Sequence, residues 1–180
     1  MTQRHRIVFS GSGGQGVITA AILLTEAAVL HEQRNAVQTQ AYGAAARGGA
    51  TRSDVIISDA PINYPKVNQA NFLVCLTQEA YAKYAPLIRP GGLLLTDSRF
   101  VTTQRKVDAV QRELPMYEQV MEKIGKPVVF NICVLGAFIG LTGVVGMDAV
   151  EKSLAQRLPP AFLDMNRGAL QLGYRLGHND

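Results

Sequence analysis

The 180-residue sequence contains no tryptophan, and aromatic residues make up only 7% of it. Stacking platforms for nucleobases therefore have few candidates. Lys and Arg are scattered, without the basic run interleaved with aromatics that marks a nucleic-acid binder. There are two cysteines, Cys75 and Cys133, far apart and each inside an apolar run, and no C-x-x-C. Cysteines in that arrangement exclude a zinc or iron–sulfur site built on this chain's thiols alone. Two buried thiols suit a reducing cytoplasm. The three histidines, His5, His31 and His178, fall at a terminus, a helix end and the tail. No H-E-x-x-H, G-x-S-x-G or usefully spaced carboxylate pair occurs. The chain thus lacks the acid–base machinery of a self-sufficient catalyst. Its start, MTQRHRIVF, enters a strand pattern without the apolar stretch of a signal peptide.

Apolar residues make up 47% and charged residues 18%, with a net charge of +4. That balance suits a globular domain with a basic surface, attractive to an anionic ligand or an acidic partner. One uncharged run, 128–145, reaches the lower bound for a membrane span and holds Gly136 and Gly140 in a G-x-x-x-G. Pro127, Asn131 and three glycines argue against a span. Asn131 reads as an N-cap dividing a short strand from a helix buried on all sides.

Elsewhere strands alternate with helices. Strands are predicted at 6–10, 35–40, 53–58, 71–77 and 93–98, and helices at 17–30, 78–84, 116–124, 147–158 and 160–176. RPGG (89–92) reads as a turn, and 106–114 fits either an edge strand or a short helix. Gly125 supplies a helix stop, and Gly146 or Asp148 a cap. The pattern predicts an α/β, Rossmann-like fold in a single domain over 1–180. Its sheet is mostly parallel, with helices on both faces and a helical C-terminal tail.

Chemistry concentrates in two loops. VFSGSGGQGVITA places Gly11, Gly13 and Gly16 at the spacing G-x-G-x-x-G, after a strand and before a helix. Such a loop brings bare backbone amides and a helix N-terminus to a phosphate. It also serves, more simply, a tight strand-to-helix turn. A nicotinamide dinucleotide requires an acid about 20 residues further on to hold the ribose. The second strand ends instead in Thr39 and Gln40, and no G-K-[ST] follows for a P-loop. The second loop carries Arg47, Gly48 and Gly49, with Arg52 beyond. Arginine is the residue for bidentate oxyanion contacts, and paired glycines allow close approach. Thr77, Gln78 and Asp97 end strands on the same edge and either line the crevice or cap helices.

GSGGQGVITA, followed by QTQAYGAAARGG and TRSDVIIS, resembles the gamma subunits of 2-oxoacid:ferredoxin oxidoreductases. The resemblance continues through INYPKV, LTQEAYAKY, PGGLLLTDS and FNICVLGAFIGLTG, over about residues 5–176. It is most similar to the branch acting on 2-oxoglutarate. The pyruvate, branched-chain 2-oxoacid and indolepyruvate branches remain as alternatives, as does a stand-alone nucleotide- or coenzyme A-binding module. The family's second loop often reads Y-G-P-E-A-R-G-G, and here Ala44 and Ala45 replace the proline and the acid.

The resemblance implies a gamma-type domain that is inactive alone, in a cytoplasmic complex with alpha, beta and sometimes ferredoxin-like delta subunits. Thiamine diphosphate, Mg and iron–sulfur clusters would sit on those partners. Ferredoxin would be the electron acceptor and coenzyme A a substrate. Gly11, Ser12, Gly13, Gly14, Gln15 and Gly16, with Arg47, Gly48, Gly49 and Arg52, would shape the coenzyme-facing side. No catalytic residue, metal site, nucleic-acid partner or membrane span is expected on this chain.

Overall fold

The structure is a computed structural model that describes residues 3–41, 49–104 and 107–179. It contains one six-stranded sheet. The strands are β1 (Arg4–Ser12), β2 (Asn35–Ala41), β3 (Ala50–Ser58), β4 (Ala70–Cys75), β5 (Ile88–Asp97) and β6 (Ala109–Leu114), in spatial order β2-β3-β1-β4-β5-β6. The β1–β4, β4–β5 and β5–β6 pairs are parallel, and β3 runs antiparallel to both neighbours. The sheet is therefore mostly parallel, with β2 and β3 forming a hairpin at one side. Ile7, Phe9, Val55, Ile57, Val74 and Leu95 face one core, and Val8, Ile56, Leu73 and Leu94 the other. This alternation is what a strand covered on both faces requires.

Helices α1 (Val17–Glu26), α3 (Met116–Lys123), α4 (Phe130–Thr142), α5 (Met147–Arg157) and α6 (Pro160–His178) build the thicker layer. Helix α2 (Gln78–Tyr84) covers the opposite face. Thr77 caps α2, its hydroxyl accepting from the Ala80 amide at 3.1 Å. Helix α1 runs into a π-helical turn, Ala27–His31, before β2.

Three expectations are corrected or resolved. RPGG lies inside β5 rather than in a turn. Gly91 adopts φ +71°, the β4–β5 register shifts there, and a side chain on Gly92 would lie 2.9 Å from the Asn71 carbonyl oxygen. The strand thus continues through an irregularity that only small residues accommodate. The 106–114 ambiguity resolves as the edge strand β6. Asn131 does not cap α4. It lies in that helix's first turn, after a 3-10 turn at Pro127–Val129.

Helix α4 is buried along most of its length, and no helix among the described residues is long and apolar enough to cross a membrane. Its G-x-x-x-G serves packing against α6. Gly136 lies against Leu170 and Tyr174, and Gly140 against Tyr174 and His178. Gly173 and Gly177 of α6 lie in turn against Cys133 and Ala137. The two helices run in the same direction with backbones touching through matched small-residue ridges, a geometry that side chains at these positions forbid.

Candidate functional site

The carboxyl ends of β1, β4, β5 and β6 share one edge of the sheet. The end of β2 and the start of β3 lie at the same edge, because Ser12 pairs with Ala50 in the antiparallel register and Ala41 with Arg52. From β1 the chain crosses through α1 to the β2 side, whereas β4 lies on the other flank of β1. The glycine loop therefore sits where the winding direction reverses, the position at which open α/β sheets form a binding crevice.

The glycines of that loop are not equivalent. A side chain on Gly11 would lie 2.5 Å from Gln15 Oε1 and 3.3 Å from Leu76 Cβ, so Gly11 makes room for the neighbouring strand. Gly14 and Gly16 adopt φ +88° and +73°, which favour glycine. Gly16 also faces Asn131 closely: an added Cβ would lie 2.5 Å from Nδ2. Gly13 has no such constraint and opens onto free space.

Gln15 fastens the loop. Its Oε1 accepts from the Ser12 amide at 2.8 Å, and its Nε2 donates to the Leu76 carbonyl at 3.3 Å, bridging the ends of β1 and β4. Asn131 Nδ2 donates to the Gly16 carbonyl at 3.3 Å, tying α4 to the start of α1. The amides of Gly13, Gly14 and Gly16 find no acceptor among the described residues. Helix α1 also begins without a side-chain cap or an acid in its first turn. Exposed donors and an uncompensated helix N-terminus favour an anion here. The loop borders a cavity of about 390 Å³ lined by Gly14, Gln15, Gly16, Phe100, Tyr117 and Asn131, with Phe130 and Pro127. Phe100, Tyr117 and Phe130 meet edge to face at centroid separations of 5.0 to 6.0 Å.

The second loop is only partly in view. Arg47 and Gly48 lie outside the described residues, and Gly49 immediately precedes β3. Arg52 is engaged within the protein. Its Nε and Nη2 donate to the two Asp54 oxygens at 2.5 and 2.8 Å, and Nη2 donates to the Val67 carbonyl at 2.5 Å. Asp54 in turn accepts from the Val67 amide at 3.1 Å, so the pair clamps the INYPKV loop to β3. Ala50 N donates to Glu79 of α2 at 3.3 Å.

Asp97 is fully buried, and its oxygens accept from the Arg99 amide at 2.9 Å and the Tyr117 amide at 2.7 Å. Burial holds its carboxyl above the usual aspartate range, opposed by these hydrogen bonds. Cys75 and Cys133 are buried in the two separate cores, and burial pushes each thiol up to about 12. Among the described residues no group of three or more His, Cys, Asp or Glu is placed to hold a metal ion. Sequence reasoning missed Asn131 as a loop partner and the aromatic wall, because both depend on α4 and α3 folding back onto α1.

A glycine loop at the switch point of a doubly wound sheet defines a Rossmann-like domain. The chain belongs to the pyruvate ferredoxin/flavodoxin oxidoreductase family, whose model matches residues 6–176. It is 42% identical over 175 residues to the 2-oxoglutarate synthase subunit KorC of Methanocaldococcus jannaschii, covering 96% of this chain and 94% of that one. Subunits of 2-oxoglutarate synthase match at 35–42% identity, and subunits of ketoisovalerate, pyruvate and indolepyruvate oxidoreductases at 25–30%. The gamma subunit of a keto/oxoacid ferredoxin oxidoreductase from Geobacter sulfurreducens superposes with a TM-score of 0.89 at 41% identity, over 97% of both chains. The same fold recurs in the 2-oxoglutarate:ferredoxin oxidoreductase of Magnetococcus marinus, with a TM-score of 0.89 at 18% identity. There it covers 99% of this chain but 32% of the longer one.

Proposed function

We propose that this chain is the gamma subunit of a cytoplasmic 2-oxoglutarate:ferredoxin oxidoreductase, which converts 2-oxoglutarate to succinyl-CoA and reduces ferredoxin. Within that complex its glycine loop forms the coenzyme A-facing side of the site. The observation that carries the second statement is that the amides of Gly13, Gly14 and Gly16 find no acceptor among the described residues, and that Gly14 and Gly16 line a cavity at the switch point. Anionic phosphate groups suit those donors. The 2-oxoglutarate assignment rests on the higher identity to that branch than to the others.

Thiamine diphosphate, Mg and the iron–sulfur clusters belong on alpha, beta and delta-type partners. The two cysteines here support that division: each is enclosed in a different core and held as a thiol, so neither is poised to ligate a cluster. Those groups supply the decarboxylation and electron-transfer chemistry. This chain binds, orients and encloses.

The test is purification of the chain from its native host with whatever accompanies it, followed by a panel of 2-oxoacids. The expected result is a brown complex that oxidises 2-oxoglutarate fastest, in a coenzyme A-dependent reaction. A complex that prefers pyruvate contradicts the substrate assignment. A lone chain that binds coenzyme A at micromolar affinity favours a stand-alone module instead.

A further inference from the structure

Several basic side chains of this protein are neutralised in place. Arg34, Arg52, Lys123 and Arg157 each meet a carboxylate. Arg99 does not. Its guanidinium has no hydrogen-bonding or carboxylate partner among the described residues, and it rests over the Tyr117 ring with Cζ 5.4 Å from the centroid. Tyr117 belongs to the aromatic wall that faces Gly14–Gly16 across the cavity.

The cation and its ring are fixed by the same group. Asp97 receives the Arg99 amide on one oxygen and the Tyr117 amide on the other. Pro115, which precedes α3, has no side-chain acceptor, so the buried carboxylate of β5 caps α3 from outside. One residue thereby sets the turn bearing Arg99 and the helix bearing Tyr117. A planar cation held on an aromatic face, with its N–H fork unused, is pre-organised for bidentate contact with an oxyanion.

We infer that Arg99 is an anion-binding residue beside the aromatic wall of the glycine-loop cavity, gripping a phosphate or carboxylate of the ligand held there. The inference rests on the reading that this loop faces coenzyme A. Two sources supply such an oxyanion: the phosphates of the coenzyme and the carboxylate of the 2-oxoacid.

The experiment uses the assembled complex with Arg99→Ala, Arg99→Lys and Gly13→Val. Coenzyme A binding is measured by calorimetry, and KM is measured separately for coenzyme A and for the 2-oxoacid. Arg99→Ala is expected to weaken coenzyme binding roughly tenfold, the loss of one charge-assisted contact, with an unchanged melting temperature. Arg99→Lys recovers part of the loss, because charge remains while the planar fork is gone. A rise confined to the KM of the 2-oxoacid still supports the oxyanion role and assigns it to the substrate carboxylate. Unchanged coenzyme affinity and unchanged KM for both substrates overturn the inference. Gly13→Val separates the two claims. If it leaves coenzyme binding unaltered, the reading of the glycine loop falls. If it weakens binding while Arg99→Ala does nothing, only the Arg99 assignment falls.

Discussion

Gly173→Ala probes the helix pair that supports the site from beneath. The added methyl carbon would overlap the Cys133 carbonyl oxygen and lie 2.7 Å from that carbonyl carbon and 2.8 Å from the Ala137 nitrogen. Favourable carbon contacts begin near 3.5 Å, and the opposing atoms are backbone, so no rotamer change relieves the overlap. Helices α4 and α6 must separate, which also loosens the contacts at Gly136, Gly140 and Gly177. Overpacking of this kind costs about 3 kcal/mol, and the gain in helix propensity returns about 1. The net loss of about 2 kcal/mol corresponds to a fall of roughly 4–8 °C in melting temperature for a chain of this size. Gly168→Ala, in the same helix but facing open space, is the control. It gains about 1 kcal/mol and raises the melting temperature by roughly 3 °C. Thermal melting followed by circular dichroism reads both. A Gly173→Ala chain that melts at or above the parent refutes the close-packing account.

Two further substitutions test local claims. Arg52→Ala leaves Asp54, with 10% of its side chain exposed, without its cation, and is expected to cost about 2–3 kcal/mol in denaturant unfolding. Wild-type stability in that variant would show that the pair contributes nothing net. Burial, followed by the Arg34 charge, lowers the pKa of His5 below its ordinary 6.5, with Asp59 opposing. The unfolded chain therefore takes up that proton first. The corresponding stability is present above pH 6.5 and declines as the pH falls from there through the folded-state pKa. His5→Gln should flatten this part of the decline, and an identical pH slope in the variant would contradict the assignment.

Much of the fold could be read from residue patterns, because two-sided burial and helix caps write local signals. Helix α2 begins and ends where Thr77 and the approach to Pro86 imply, and the buried α4 follows from an apolar run with no polar face. Strand direction leaves no such mark. The period of β3 is the same whether it runs with or against β1, so the hairpin became visible only through its register, Ala50 opposite Ser12 of β1 and Ser58 opposite Asn35 of β2. Asn131 illustrates the same limit. Its position after a proline resembles a cap, but its amide is used 115 residues away, on the Gly16 carbonyl. For the site, the glycine spacing located the loop and the missing ribose acid argued against a dinucleotide. The aromatic wall and Arg99 required α3 to be capped by Asp97, a contact between distant segments.

The central claim is that the loop amides of this subunit receive the coenzyme. Hydrogen exchange on the assembled complex, with and without coenzyme A, tests it most directly. The account predicts that coenzyme A slows exchange several-fold at Gly13, Gly14, Gly16 and Val17, whose amides find no acceptor among the described residues, while Gln15, already donating to the Ser12 carbonyl, changes less. Unchanged exchange across 13–17, with protection confined to other segments or other subunits, would contradict it.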